Sequence, residues 1–143
     1  MEKVFISLNV VDGYPRVGVE SVWAEKKDGN LYRIKNIPFY SKEVCFEDEV
    51  STSKGSDGEA VFVAVVADEG NSTIRIIFFD GDESVPGLIM AEISNMGCSW
   101  EGMSKKFFSV NVPREVDFDE VVKYLEVKSE EGWLDYEYGK VRQ

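Results

Sequence analysis

Through the first 67 residues, apolar positions tend to recur at every second residue, the period of a half-buried strand. "KVFISLNV" sets Val4, Ile6 and Leu8 against more mixed neighbours. "VESVWAE" and "LYRIKNI" flank "KKDGN", where Asp28-Gly29 signals a hairpin because a type I′ turn needs positive φ. "EDEVST" runs into the Gly/Ser-rich stretch "SKGSDGE". "AVFVAVV" is continuously apolar, the pattern of a strand covered on both faces. These segments predict a curved β-sheet or partial barrel over 1–67.

The rhythm then changes. "STIRIIFF" predicts a strand with Ile74, Ile76 and Phe78 on one face. Val85, Leu88, Ile89, Ile93 and Met96 follow at helical spacing, with Ser84 placed as N-cap, Pro86 in the first turn and Gly97 as the stop. "CSWEG" and "KKFFSVNV" predict two short strands around a Gly102–Lys105 turn. In "VDFDE", Asp117 is placed as a second N-cap, with Glu120 three residues on and Val116 facing Val121. That helix ends near Gly132. "WLDYEYG" closes as a strand, with Trp133, Asp135 and Glu137 expected on one face and Leu134, Tyr136 and Tyr138 on the other. The order β-α-β-β-α-β over 72–139 is that of a ferredoxin-like unit. The expected fold class is α+β, with lobes at 1–67 and 68–143 or one continuous domain, a scale that suits 143 residues.

Composition narrows the chemistry. Hydrophobic residues make up 43% and aromatics 13%, enough for a packed core. No apolar run approaches the roughly 20 residues that span a bilayer, and the N-terminus lacks a long apolar signal-peptide core. The expected location is cytoplasmic. Cys45 and Cys98 lie far apart without CxxC spacing and read as free thiols. With no histidine in the chain, Ser-His-Asp catalysis, HExxH zinc sites and histidine switches are excluded. No cofactor motif and no metal set is expected. A net charge of −11 repels nucleic acid and anionic membranes and attracts cationic proteins.

Against that background, "FFDGDESVPG" clusters Asp80, Asp82 and Glu83 around a glycine. A calcium loop of the EF type wants glycine sixth and glutamate twelfth. Counted from Asp80, those places hold Val85 and Ala91, so the stretch reads as a strand-to-helix turn whose acids favour the helix N-terminus. Glu20, Glu25, Asp80, Asp82, Glu101 and Asp135 keep a carboxylate-based hydrolase open, although no spacing forces any two together. Arg75 lies opposite the Ile74/Ile76/Phe78 face. A buried arginine needs a carboxylate partner, and the alternative is a ligand anchor. Aromatics cluster in "VESVWAE", "NIPFY" and "WLDYEY", but stacking of nucleobases would need a basic groove that this acidic chain lacks.

The stretches "VWAEKKDGNLYRIKNIPFY", "STIRIIF", "GCSWEG" and "FFSVNVP" resemble a family of small bacterial proteins known only as a domain of unknown function. The likeness runs from about Val19 to Tyr138. The family shows glycine-aspartate where this chain has "FEDEV" and "GHST" where it has "EGNST", so Asn71 stands in place of a histidine. The resemblance implies the β-then-ferredoxin-like layout and no particular activity.

Small acidic cytoplasmic proteins of this kind include immunity (antitoxin) proteins. The leading expectation is therefore a non-enzymatic binder that neutralises a cationic toxin domain, such as a nuclease, by covering its active site. Asp80, Asp82, Glu83, Asp135 and Glu137 would supply charge, and Trp133 an anchor. The alternative is a small-molecule sensing or binding domain with its pocket between the lobes, anchored by Arg75.

Overall fold

The computed structural model describes every residue from Met1 to Gln143 and arranges nine strands and two helices around two sheets. Strands β1 (Glu2–Ser7), β2 (Val19–Lys26), β3 (Leu31–Ile34), β4 (Glu49–Lys54) and β5 (Ala60–Ala67) follow one another around a closed barrel. Each consecutive pair is antiparallel. An odd number of alternating strands can close only with its first and last members parallel. β1 and β5 meet in that sense, through Val4↔Ala60 and Phe5↔Val61. A tight turn at Asp28-Gly29 joins β2 to β3 as expected, but Gly29 alone has positive φ, at 59°, so the turn is not the expected type I′, which needs positive φ at both central residues. Alternation along the strands buries Val4, Ile6, Val22, Ala24, Tyr32, Ile34 and Val50 inside the barrel, together with Val44 from the long β3–β4 connection.

β5 departs from expectation. Phe62 and Val65 pack inward, but Val63 and Val66 are 58% and 52% exposed. The apolar run is covered on one face only, because both helices lie on the other sheet. Two register shifts against β4 interrupt its alternation.

The chain leaves the barrel at Ala67 and enters the second sheet at Ser72. There, β6 (Ser72–Phe78), α1 (Val85–Asn95), β7 (Ser99–Gly102), β8 (Phe107–Val112), α2 (Phe118–Glu130) and β9 (Leu134–Tyr138) form the ferredoxin-like unit, with sheet order β7-β8-β6-β9. All three pairings are antiparallel, and β6 lies inside the sheet. Ile74, Ile76 and Phe78 share one core with Val110, Val112 and Leu134 from the neighbouring strands and with Ile89, Met90, Ile93, Val121 and Leu125 from the helices. No helix is long and apolar enough to cross a membrane.

The two helix starts differ. Asp117 caps α2 as expected, its carboxylate accepting from Asp119 N at 3.0 Å and Glu120 N at 3.3 Å. Ser84 does not cap α1. Its own dihedrals are already helical, and its hydroxyl donates 2.7 Å to Asp82 instead. The turn is held by the aspartate before it.

The opposite sheet face is also buried, although its residues are polar. Thr73, Arg75, Ser109 and Asn111 are covered, and residues 35–48, which link β3 to β4, pass over part of this face. The C-terminal tail ties the lobes a second time. Arg142 forms a bidentate pair with buried Asp48 at 2.6 and 2.9 Å, and Gln143 donates 2.6 Å to Pro113 O.

Asp117→Ala should lower unfolding free energy by about 1 kcal/mol through loss of the α2 cap. Urea denaturation checks this, and an unchanged midpoint would refute the cap's contribution.

Candidate functional site

Register arranges the barrel-facing side of the second sheet in rows. Thr73 lies beside Asn111, Arg75 between Ser109 and Glu137, and Ile77 between Phe107 and Asp135. β7 extends the middle row with Glu101, the partner of Ser109. The first row meets the barrel lobe at Cys45 and the middle row at residues 38–41, on which Phe107 of the third row also packs.

The middle row is a clasp. Arg75 is 1% exposed and sits beside Glu137, its Nε donating 3.2 Å to Glu137 Oε1. Nη1 donates to Pro38 O and Ser41 O, and Nη2 to Tyr40 O and Ser41 O, at 2.9–3.2 Å. A guanidinium has five N–H donors, and these contacts engage them all. Arg75 therefore has the carboxylate partner that burial demands and also fixes the "NIPFYS" segment. It offers no free donor to a ligand, so the expected anchor is a structural tie instead.

Two carboxylates weighed above as possible acids hold the same segment by its amides. Glu20 points into the end of the barrel and accepts from Phe39 N, Tyr40 N and Ser41 N at 2.6, 3.1 and 2.9 Å. Glu101 accepts from Ile37 N at 2.7 Å and Asn36 Nδ2 at 3.0 Å. Both are occupied as backbone acceptors. Glu25 lies on the outer face of β2 and pairs with Lys27.

Beyond the clasp, a cleft of about 570 Å3 opens between the lobes. Ile77 and Phe107 give it an apolar floor, and Asp135 and Glu137 come from β9. Tyr40 faces Phe107, their ring centres 5.9 Å apart. From the barrel side, the β1–β2 connection carries Tyr14 and Arg16 to the cleft. Tyr14 donates 3.1 Å to the Glu137 oxygen that Arg75 also holds. Partial burial, then the neighbouring Glu137 charge, raises the Tyr14 pKa, so its hydroxyl stays a donor. A second recess of about 410 Å3 shares Tyr14 and Tyr40 and continues the groove toward Lys42.

The structure divides the expected interface residues. Asp135 and Glu137 reach the cleft. Asp80, Asp82 and Glu83 lie in the exposed turn after β6. Asp80 pairs with Lys106 and Asp82 accepts from Ser84 N, contacts that lower both carboxyl pKa values. Glu83 alone of the three has no partner. Trp133 does not share the face of Asp135 and Glu137. It precedes β9, follows Gly132 at φ 87°, and packs against the sheet–helix core, so strand alternation does not extend back to it.

Tyr14, Arg16 and Phe107 also line the cleft, a role that their local sequence does not announce. In "DGYPRV" the one available signal is a tyrosine and an arginine in a turn-rich segment. Tyr40 was visible within the "NIPFY" cluster.

Arg75→Met should cost about 3 kcal/mol or more, because Glu137 and three carbonyls lose their donor together. Arg75→Lys should recover less than half of that, since an ammonium has three donors and no planar fork. Chemical denaturation of the three proteins checks both, and a stable Arg75→Met variant would overturn the clasp.

No curated protein matches this sequence. The chain is similar in fold to a hypothetical protein from Neisseria gonorrhoeae of known crystal structure, with 18% identity and a TM-score of 0.84 over 99% of this chain and 96% of that one. At that identity the likeness speaks for the fold alone. A family profile described as a domain of unknown function (DUF4265) matches residues 20–136, from the carboxylate that holds the "NIPFYS" amides to the tyrosine beside the cleft acids. The chain belongs to that family.

Proposed function

We propose that this protein is a small-molecule sensing or binding domain and that its site is the cleft between the lobes. The observation carrying this reading is a concave, apolar-floored recess whose polar walls are fixed by the Arg75–Glu137–Tyr14 network. Ligand sites commonly combine an apolar lining with a few convergent polar groups. The reading moves the anchor from Arg75 to the groups that remain available, Arg16 and Asp135.

A fragment screen followed by ¹H–¹⁵N NMR tests it. Fragments should shift resonances at Ile77, Phe107 and Tyr14 together, and Phe107→Ala should weaken them with the fold retained. Shifts that cluster elsewhere, or none across the screen, would sink the proposal.

The net charge of −11 favours a second reading, an immunity protein that neutralises a cationic toxin domain in the cytoplasm. Its charge would come from Glu83 and Asp135, with Asp80 and Asp82 contributing less because each already has a local partner. Under this reading, association with a basic toxin domain should slow steeply with salt, while dissociation changes less. Reversing Asp80, Asp82 and Glu83 to lysine should slow association further without unfolding an exposed turn. A tight complex indifferent to salt and to the triple reversal would eliminate the charge-steered mechanism.

A further inference from the structure

Four charged side chains line the cleft, Arg16, Arg75, Asp135 and Glu137. Two of them neutralise each other, since Arg75 and Glu137 form the clasp pair. The other two remain uncompensated. Arg16 is exposed and makes no hydrogen bond or ion pair. Asp135 is exposed, and the only hydrogen bond to its carboxylate is from the adjacent Tyr136 N, at 2.9 Å.

These opposite charges face one recess without pairing with each other. Arg16 is carried by the β1–β2 connection, whose Tyr14 is tied to Glu137, and Asp135 by β9, beside Ile77. The apolar floor of Ile77 and Phe107 lines the same recess. A ligand with one charge would leave the other side chain without a partner. A ligand carrying an anion, a cation and an apolar body would engage all three features.

Resting on the cleft as the binding site, we propose that its ligand is a zwitterionic amino compound, an amino acid or short peptide with an apolar side chain. Arg16 takes the carboxylate, Asp135 takes the ammonium, and Ile77 and Phe107 take the side chain.

The probes are L-phenylalanine and the dipeptide phenylalanyl-glycine, each also in its N-acetyl form, which removes the cation, and its C-terminal amide form, which removes the anion. Titrations followed by NMR at moderate salt give the affinities. At least one free zwitterion should bind more tightly than either blocked form, by about two- to fivefold for each charge removed, the scale of an exposed ion pair. Arg16→Ala should abolish the penalty for amidation and Asp135→Asn the penalty for acetylation. Asp135→Lys should turn the preference toward the acetylated anion. Both residues are exposed, so these variants should fold, which their thermal midpoints check. Equal binding of free and blocked probes would overturn the zwitterion assignment and leave the cleft as a binding site. No binding by any probe would overturn the assignment too, while binding of unrelated fragments at the cleft would preserve the broader reading.

Discussion

A cation buried in the middle of a sheet face sets the terms for the rest of this molecule. Arg75 lies on a strand whose other side is fully committed to the helix-covered core, so it must lie on the face toward the barrel. Removing that charge from water is strongly unfavourable unless a carboxylate and further acceptors replace the lost hydration. Glu137 supplies the charge, and the carbonyls of Pro38, Tyr40 and Ser41 supply the remaining acceptors. Those carbonyls belong to the other lobe. Satisfying one side chain thus joins the two sheets.

A segment that turns its carbonyls toward an arginine must also place its amides. Glu20 from the barrel and Glu101 from the second sheet accept them from opposite sides. The "NIPFYS" segment therefore carries no regular secondary structure, yet it is satisfied like a strand. Its position in turn fixes Tyr40 and Phe39 against Phe107. Aromatic contact and charged clasp reinforce each other across the seam.

Much of the fold was legible because its signals are local. Helical spacing after Ser84, the Asp117 cap and the Asp28-Gly29 turn each depend on a few neighbouring residues, and together they implied the β-α-β-β-α-β order. The need for an Arg75 partner also followed from one strand's pattern. Legibility failed where burial depends on what lies across space. The apolar run of β5 looked doubly covered, but the helices pack on the other sheet. Glu20 and Glu101 looked like candidate acids, because nothing in their own segments announces amides arriving from residues 36–41. The cleft was expected only as a location between lobes. Its walls come from the β1–β2 connection, the β3–β4 connection and β9, so no local window contains them.

The seam differs at its two ends, and β6 records the difference. At its start, Asn71 donates to Phe46 O, Thr73 to Cys45 Sγ, and Ser72 meets Gln143. The tail closes that end, with Arg142 held by Asp48. At the other end, Ile77 remains 43% exposed between Phe107 and Asp135. An apolar residue within a sheet row is ordinarily covered when chain is available to cover it. Here the available segment is held back by its own hydrogen bonds, since Arg75, Glu20 and Glu101 fix residues 36–41 over the middle row. The same bonds that join the lobes stop them from closing over Ile77. The cleft follows directly from the clasp.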